Sequence, residues 1–230
     1  MIYIIAGFIY GSLIPYMARR FAKFMPATMA YALYRLIAPT KKTSKNKRTS
    51  SKRYRNLMQK YIRHCLIWGV ITAFAFYLAA VYLPSPFYIA YIAILFLLYE
   101  IDERMFLLPD LLTVPLLIVG FLYAATLPPA DYIPWSPAYS SALGAAFGYM
   151  LPVLASVIII KKYPDAFGGG DIKLLSAVGA WIGLENVPIL LLISCIVFGI
   201  RCLIKRQRSG AFGPAIVISA VILLLFGQTL

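Results

Sequence analysis

All eight acidic residues of this 230-residue sequence lie after position 99, and six of them fall in two short stretches. The first, residues 97–117, reads LLYEIDERMFLLPDLLTVPLL and carries Glu100, Asp102, Glu103 and Asp110. The second, residues 163–183, reads YPDAFGGGDIKLLSAVGAWIG and carries Asp165 and Asp171. Both stretches are otherwise strongly apolar, and an ionisable carboxylate at the edge of a hydrocarbon phase is costly enough to be read as a functional group. Asp102 and Asp171 stand 69 residues apart. Two such carboxyls brought together share one proton, because both cannot ionise cheaply at a few ångströms' separation. One then serves as general base on a water and the other as general acid on the scissile carbonyl or the leaving amine, which is aspartic-protease chemistry.

Each of these residues also has a structural reading. Pro109 fits an early helical position, and Asp110 behind it places a negative charge where the helix dipole favours one. Glu100 and Glu103 suit a polar hairpin tip. Gly168, Gly169 and Gly170 remove three successive Cβ atoms, which allows left-handed backbone angles and the close approach of an extended peptide. Asp171 after them could equally be an ordinary N-cap. Lys173 can pair with a nearby carboxylate or reach to lipid headgroups, and the sequence leaves both open. Asp131 and Glu185 read as solvated turn residues.

The elements that must hold these groups are membrane helices. The chain is 62% hydrophobic and 13% charged, with a mean hydropathy of +0.81. That excludes a soluble globular domain, a disordered chain and a water-soluble nucleic-acid binder, despite the formal charge of +14. The expected fold is all-α, a polytopic membrane helical bundle of about eight transmembrane helices, near residues 2–18, 66–83, 86–101, 106–127, 139–160, 171–184, 187–204 and 211–229. The first run lacks a basic leader and ends in Arg19 and Arg20, so it is expected to be a retained span and not a cleaved signal.

Residues 19–64 carry 14 Lys and Arg and no acid, and the other eight basic residues fall at alternate junctions between runs. By the positive-inside rule the basic side is cytoplasmic, which puts both termini outside and the two acidic stretches at the cytoplasmic ends of their spans. The stretch 39–55, PTKKTSKNKRTSSKRYR, is expected to be a solvated, mobile loop that attracts anionic lipid headgroups, with nucleic acid not expected as a partner. Two parts are expected: residues 1–65 as first helix and basic loop, and 66–230 as the membrane-embedded domain.

Cys65, Cys195 and Cys202 form no C-x-x-C pair, and they read as inert core thiols with neither a disulfide framework nor a zinc site. His64, the single histidine, has no acid near it in sequence, so a Cys-His nucleophile is not expected.

Three segments carry a family resemblance. Residues 102–117 (DERMFLLPDLLTVPLL), residues 168–183 (GGGDIKLLSAVGAWIG) and Ala211-Phe212-Gly213-Pro214-Ala215 closely resemble the type IV prepilin peptidases, inner-membrane aspartic proteases of the GxGD kind serving type IV pili and type II secretion. The resemblance covers roughly residues 97 to 216 and implies that Asp102 and Asp171 are the catalytic pair. It implies cleavage of a short basic leader from prepilins or pseudopilins, just after a glycine, at the cytoplasmic face. Upstream, Gly11-Ser12 with Arg19-Arg20 resembles the family's first span only faintly, with Leu13-Ile14-Pro15 in place of its Phe-Leu-Asn. Long members carry two C-x-x-C pairs in a zinc lobe linked to N-methylation from S-adenosylmethionine. A lysine-rich stretch stands there in this sequence, so neither a metal nor a cofactor is expected, and S-adenosylmethionine would enter only if methyl transfer is retained.

Two other readings compete. Carboxylates in helical bundles also serve ion- or proton-coupled transporters, but here they gather at one face and not at the midplane, with no inverted repeat. A presenilin-like intramembrane GxGD protease would carry a Pro-Ala-Leu motif where this chain has Gly213-Pro214-Ala215. The prepilin, the pilus or secretion system and the oligomeric state are not legible in the sequence.

Overall fold

A computed structural model of the chain describes residues 1–24, 51–83, 85–128, 136–159, 168–207 and 210–226. Among them are eight α-helices and no strand: α1 (Ile2–Phe24), α2 (Ser51–Tyr82), α3 (Phe87–Met105), α4 (Asp110–Thr126), α5 (Pro137–Ile159), α6 (Gly169–Ile182), α7 (Val187–Lys205) and α8 (Gly213–Phe226). Each corresponds to one of the eight expected apolar runs. A short 3-10 turn, Leu184–Asn186, links α6 to α7. The protein is an all-α, multi-pass membrane helical bundle.

Four segments are long and apolar enough by themselves to cross a bilayer: Ile2–Phe21, Arg55–Tyr82, Pro137–Val157 and Leu184–Lys205. The others are shorter or carry charge. At 1.5 Å per residue, the 14 residues of α6 reach only about 21 Å, less than the roughly 30 Å of a hydrocarbon core.

Helix α2 begins at Ser51, well before the apolar run expected from residue 66. Residues 51–65, SKRYRNLMQKYIRHC, contain no Gly or Pro and are rich in straight-chain side chains of good helix propensity, but they are too polar to register as a span. The basic loop expected over 39–55 therefore gives way to helix at its last five positions, and its remainder, 39–50, lies outside the described residues. The boundary expected at 65/66 falls inside α2. By their contacts the residues group into two compact units, Met1–Arg104 and Met105–Leu230.

In the first unit α1 and α2 run antiparallel in close contact. A Cβ at Gly7 would lie 2.8 Å from the Ala73 backbone, one at Gly69 would lie 2.7 Å from Ser12 Oγ, and Gly11 is packed against Trp68 and Thr72. Small residues let the two backbones approach, the usual means of helix association where no hydrophobic drive exists. Farther along, the Arg19 guanidinium lies 4.2 Å over the Tyr61 ring. Tyr10 then donates its hydroxyl to the Ala93 carbonyl at 2.8 Å, tying α1 to α3.

The second unit is organised around α6, buried continuously from Leu174 to Ala180. Helix α5 is antiparallel to it: Ser141 donates to the Ala180 carbonyl at 2.6 Å and Ser176 to the Ala145 carbonyl at 2.9 Å. Gly144 and Gly148 of α5 and Gly179 of α6 line the same seam. Helix α4 is parallel to α6, since Leu108 meets Gly170 at one end and Trp181 Nε1 donates to the Leu116 carbonyl at 2.8 Å farther along. The Trp181 ring also stacks on Tyr123. The turn after α6 uses Gly183 at φ 77, and a side chain there would be strained and would crowd Ser140 Oγ at 2.7 Å.

Candidate functional site

Helices α4 and α6 begin side by side. Pro109 is the N-cap of α4, one position earlier than its first turn, with φ −74 and ψ 132. Its carbonyl accepts from the amides of Leu112 at 3.0 Å and Thr113 at 3.2 Å. Asp110 opens the helix, where the unsatisfied amides of the first turn favour a negative charge. Lys173, in the second turn of α6, reaches across to it, with Nζ 2.8 Å from both Asp110 Oδ1 and Oδ2. Of the two partners open to Lys173 in the sequence, the structure selects the carboxylate. Both side chains remain about half exposed.

The glycine run is used differently from the sequence expectation. Gly168 is the N-cap of α6 at φ −71, and Gly169 and Gly170 are already helical, so none of the three adopts a left-handed angle. Gly170 provides close approach instead, because a Cβ there would lie 3.0 Å from Leu108 Cβ. A Cβ at Gly169 would meet nothing within 4 Å. Asp171 is not the cap, since it is the third residue of α6 and its amide donates to the Gly168 carbonyl at 3.0 Å. Its half-buried carboxylate folds back towards the cap, with Oδ2 only 3.3 Å from where a Gly168 Cβ would stand.

Asp102 belongs to the first unit. It lies near the end of α3 and is buried, as is Glu100 one half-turn before it. Glu100 is not a hairpin-tip charge. Its Oε1 accepts from His64 Nε2 at 2.8 Å and from the guanidinium of Arg104, while Oε2 accepts from Trp68 Nε1 at 3.0 Å. This cluster went unread in the sequence because His64 and Glu100 are 36 positions apart and meet only when α2 packs antiparallel to α3. A sequence signal did exist: a His-x-x-x-Trp spacing puts two donors on one helix face.

Cys195 is exposed on α7 and not in the core, since it lies on the same outward face as the exposed Leu192 and Ile196. Cys65 and Cys202 are half-buried. Glu185 is exposed in the 3-10 turn. Asp131 and Asp165 lie outside the described residues. Among the described residues no three His, Cys, Asp or Glu side chains gather as a metal site.

Comparison with known proteins adds an independent line. The model of the type IV leader peptidase family matches residues 89–203, a span that contains both acidic stretches through to Lys173. Three similar curated proteins are each named prepilin leader peptidase/N-methyltransferase. One from Vibrio cholerae serotype O1 is 36% identical over 135 residues, covering 56% of this chain and 51% of its own length. One from Aeromonas salmonicida is 38% identical over 140 residues, covering 56% of this chain and 45% of its own. One from Neisseria gonorrhoeae is 33% identical over 127 residues, covering 54% and 42%. The chain thus spans about half the length of the curated relatives it matches. No solved structure matches it significantly.

Proposed function

The chain belongs to the type IV leader peptidase family, and from that premise we propose that it is a membrane aspartic endopeptidase removing the short basic leader of type IV prepilins or type II secretion pseudopilins. Asp102 and Asp171 form the dyad. One carboxylate takes a proton from the attacking water while the other, protonated, gives its proton to the substrate carbonyl or the departing amine. The reaction takes place at the cytoplasmic face of a bacterial inner membrane. The observation that carries this reading is the family match over residues 89–203, which includes Asp102, Asp110, Gly168, Asp171 and Lys173. The Lys173–Asp110 pair supports it by fixing the start of the helix that bears Asp171 against α4.

No metal takes part in this scheme, since two carboxyls and a water suffice for the hydrolysis. Elemental analysis of the purified protein is expected to show no stoichiometric zinc, and one zinc per chain would overturn that part. Methyl transfer from S-adenosylmethionine is not included, because the three cysteines offer no C-x-x-C pair.

The test is co-expression with a candidate prepilin and mass spectrometry of its amino terminus. Asp102→Asn and Asp171→Asn are each expected to lower cleavage by about 100-fold or more, because Asn keeps the shape but cannot exchange the proton. Membrane insertion should be unchanged. Substantial cleavage by either variant would sink the dyad, and loss confined to Asp110→Asn would move the first aspartate there.

A further inference from the structure

Glu100 has no part in the proposed proton transfers, yet it is among the most enclosed charged groups of the first unit, 3% exposed. A carboxylate in that setting is tolerated only when its lone pairs are taken up. Three side chains do so. Facing an acceptor, His64 carries its proton on Nε2 and donates to Oε1 at 2.8 Å. Trp68 Nε1 donates to Oε2 at 3.0 Å, and Arg104, one turn farther along α3, closes over Oε1. Two of the donors come from α2 and the third from α3 itself.

The indole is in turn held on its ring. Trp68 packs edge-on against Phe96 and Tyr99 of α3, with centroids 5.6 Å and 5.3 Å away. Gly11 of α1 lies against the Trp68 carbonyl. Docking alone would not require this arrangement, because well-packed apolar side chains join helices at least as well as a buried ion pair. A hydrogen-bonded carboxylate adds direction. It fixes both the rotation of α3 and its height along α2, whereas an apolar contact tolerates sliding. Asp102 lies between the two ends of the Glu100–Arg104 link, on the turn that this link and the two α2 donors hold.

We propose that Glu100, bound by His64, Trp68 and Arg104, is a positioning residue of the peptidase reaction that sets the turn of α3 carrying Asp102. This rests on the reading of Asp102 as one of the dyad.

The test uses the purified full chain in detergent with a prepilin substrate, and rates are referred to folded protein measured by gel filtration. Glu100→Gln keeps the side-chain shape and an acceptor but loses the charge. Its kcat is expected to fall about tenfold or more with KM within about twofold, since small misplacements of a reacting group act on the chemical step. Trp68→Phe, which keeps the aromatic packing, is expected to show a smaller fall with the same split. The double variant should fall no further than Glu100→Gln alone. A purely structural role would lower the folded yield and leave kcat per folded molecule unchanged. If Glu100→Gln does not fold, the kcat of Trp68→Phe decides in the same way. Backbone hydrogen exchange over residues 101–105 should be at least about tenfold faster in the variants. Unchanged exchange, or kcat within about twofold of wild type, would overturn the proposal. A wild-type chain that leaves prepilins intact would instead overturn the peptidase reading, and this inference with it; a wild type and a Glu100→Gln that cleave equally fast would overturn the positioning role alone.

Discussion

Gly169 and Gly170 are adjacent, but a side chain would meet different surroundings at each. At Gly170 it would press on Leu108, and at Gly169 it would stand in open space. Gly170→Val is therefore expected to cost about 1–3 kcal/mol by overpacking the contact between α4 and α6. Gly169→Val should change stability by no more than about 0.5 kcal/mol, while raising KM for prepilin several-fold if the open backbone is where the peptide docks. Thermal unfolding in detergent and initial cleavage rates check the pair, and an unchanged KM at Gly169 would remove that glycine from the substrate path. The Lys173–Asp110 pair is half exposed, so its contribution to stability is at most about 1 kcal/mol. Its importance lies in alignment. The sequence could pose this pair only as one of two options, because its members are 63 positions apart. For the His64–Glu100 contact it offered only the His-x-x-x-Trp spacing, two donors on one helix face with nothing nearby in sequence to accept from them.

At the scale of helices, apolar content and packing tolerance are separate properties, and only the first is written plainly in the sequence. Eight apolar runs divided by Pro, Gly and charge gave eight helices, because a run of apolar residues in a bilayer has no alternative but to satisfy its backbone internally. The polar start of α2 was not legible, since residues 51–65 carry helix propensity without hydropathy. Nor was the difference between glycines of one type. A Cβ at Gly148 of α5 would fall 2.5 Å from the Leu175 carbonyl oxygen of α6, while at Gly199 of α7 it would meet nothing within 4 Å. Gly148→Ala is expected to push α5 off α6 and cost about 1–3 kcal/mol, where Gly199→Ala should be neutral or add about 0.5–1 kcal/mol through backbone entropy. Thermal unfolding of the two purified variants measures the contrast, and equal midpoints would contradict the close seam between α5 and α6.

For the whole molecule, the question that bears on function is which side of the membrane each helix end faces. The charge pattern supplies a direction, with 14 basic residues and no acid over 19–64 and no basic residue over 127–137. The second unit supplies a constraint independent of charge. Helix α4 is parallel to α6 and α5 is antiparallel to both, so the ends bearing Asp110 and Lys173 share one side and those near Thr126 and Ile182 share the other. Of these three helices, α5 contains a segment long and apolar enough to span alone, Pro137–Val157. If it spans, the junctions before and after it lie on opposite sides, whatever the depth reached by the shorter α4 and α6. Reporter fusions after residue 50 and after residue 165 are therefore expected to read cytoplasmic, and one near residue 133 external. The first result depends on the charge rule, and the opposition between 133 and 165 depends on α5 crossing the bilayer. A cytoplasmic reading at 133 alongside a cytoplasmic reading at 165 would mean that α5 does not cross and would break the eight-span arrangement, whereas an external reading at 165 would remove the cytoplasmic placement of Asp171 that the proposed reaction requires.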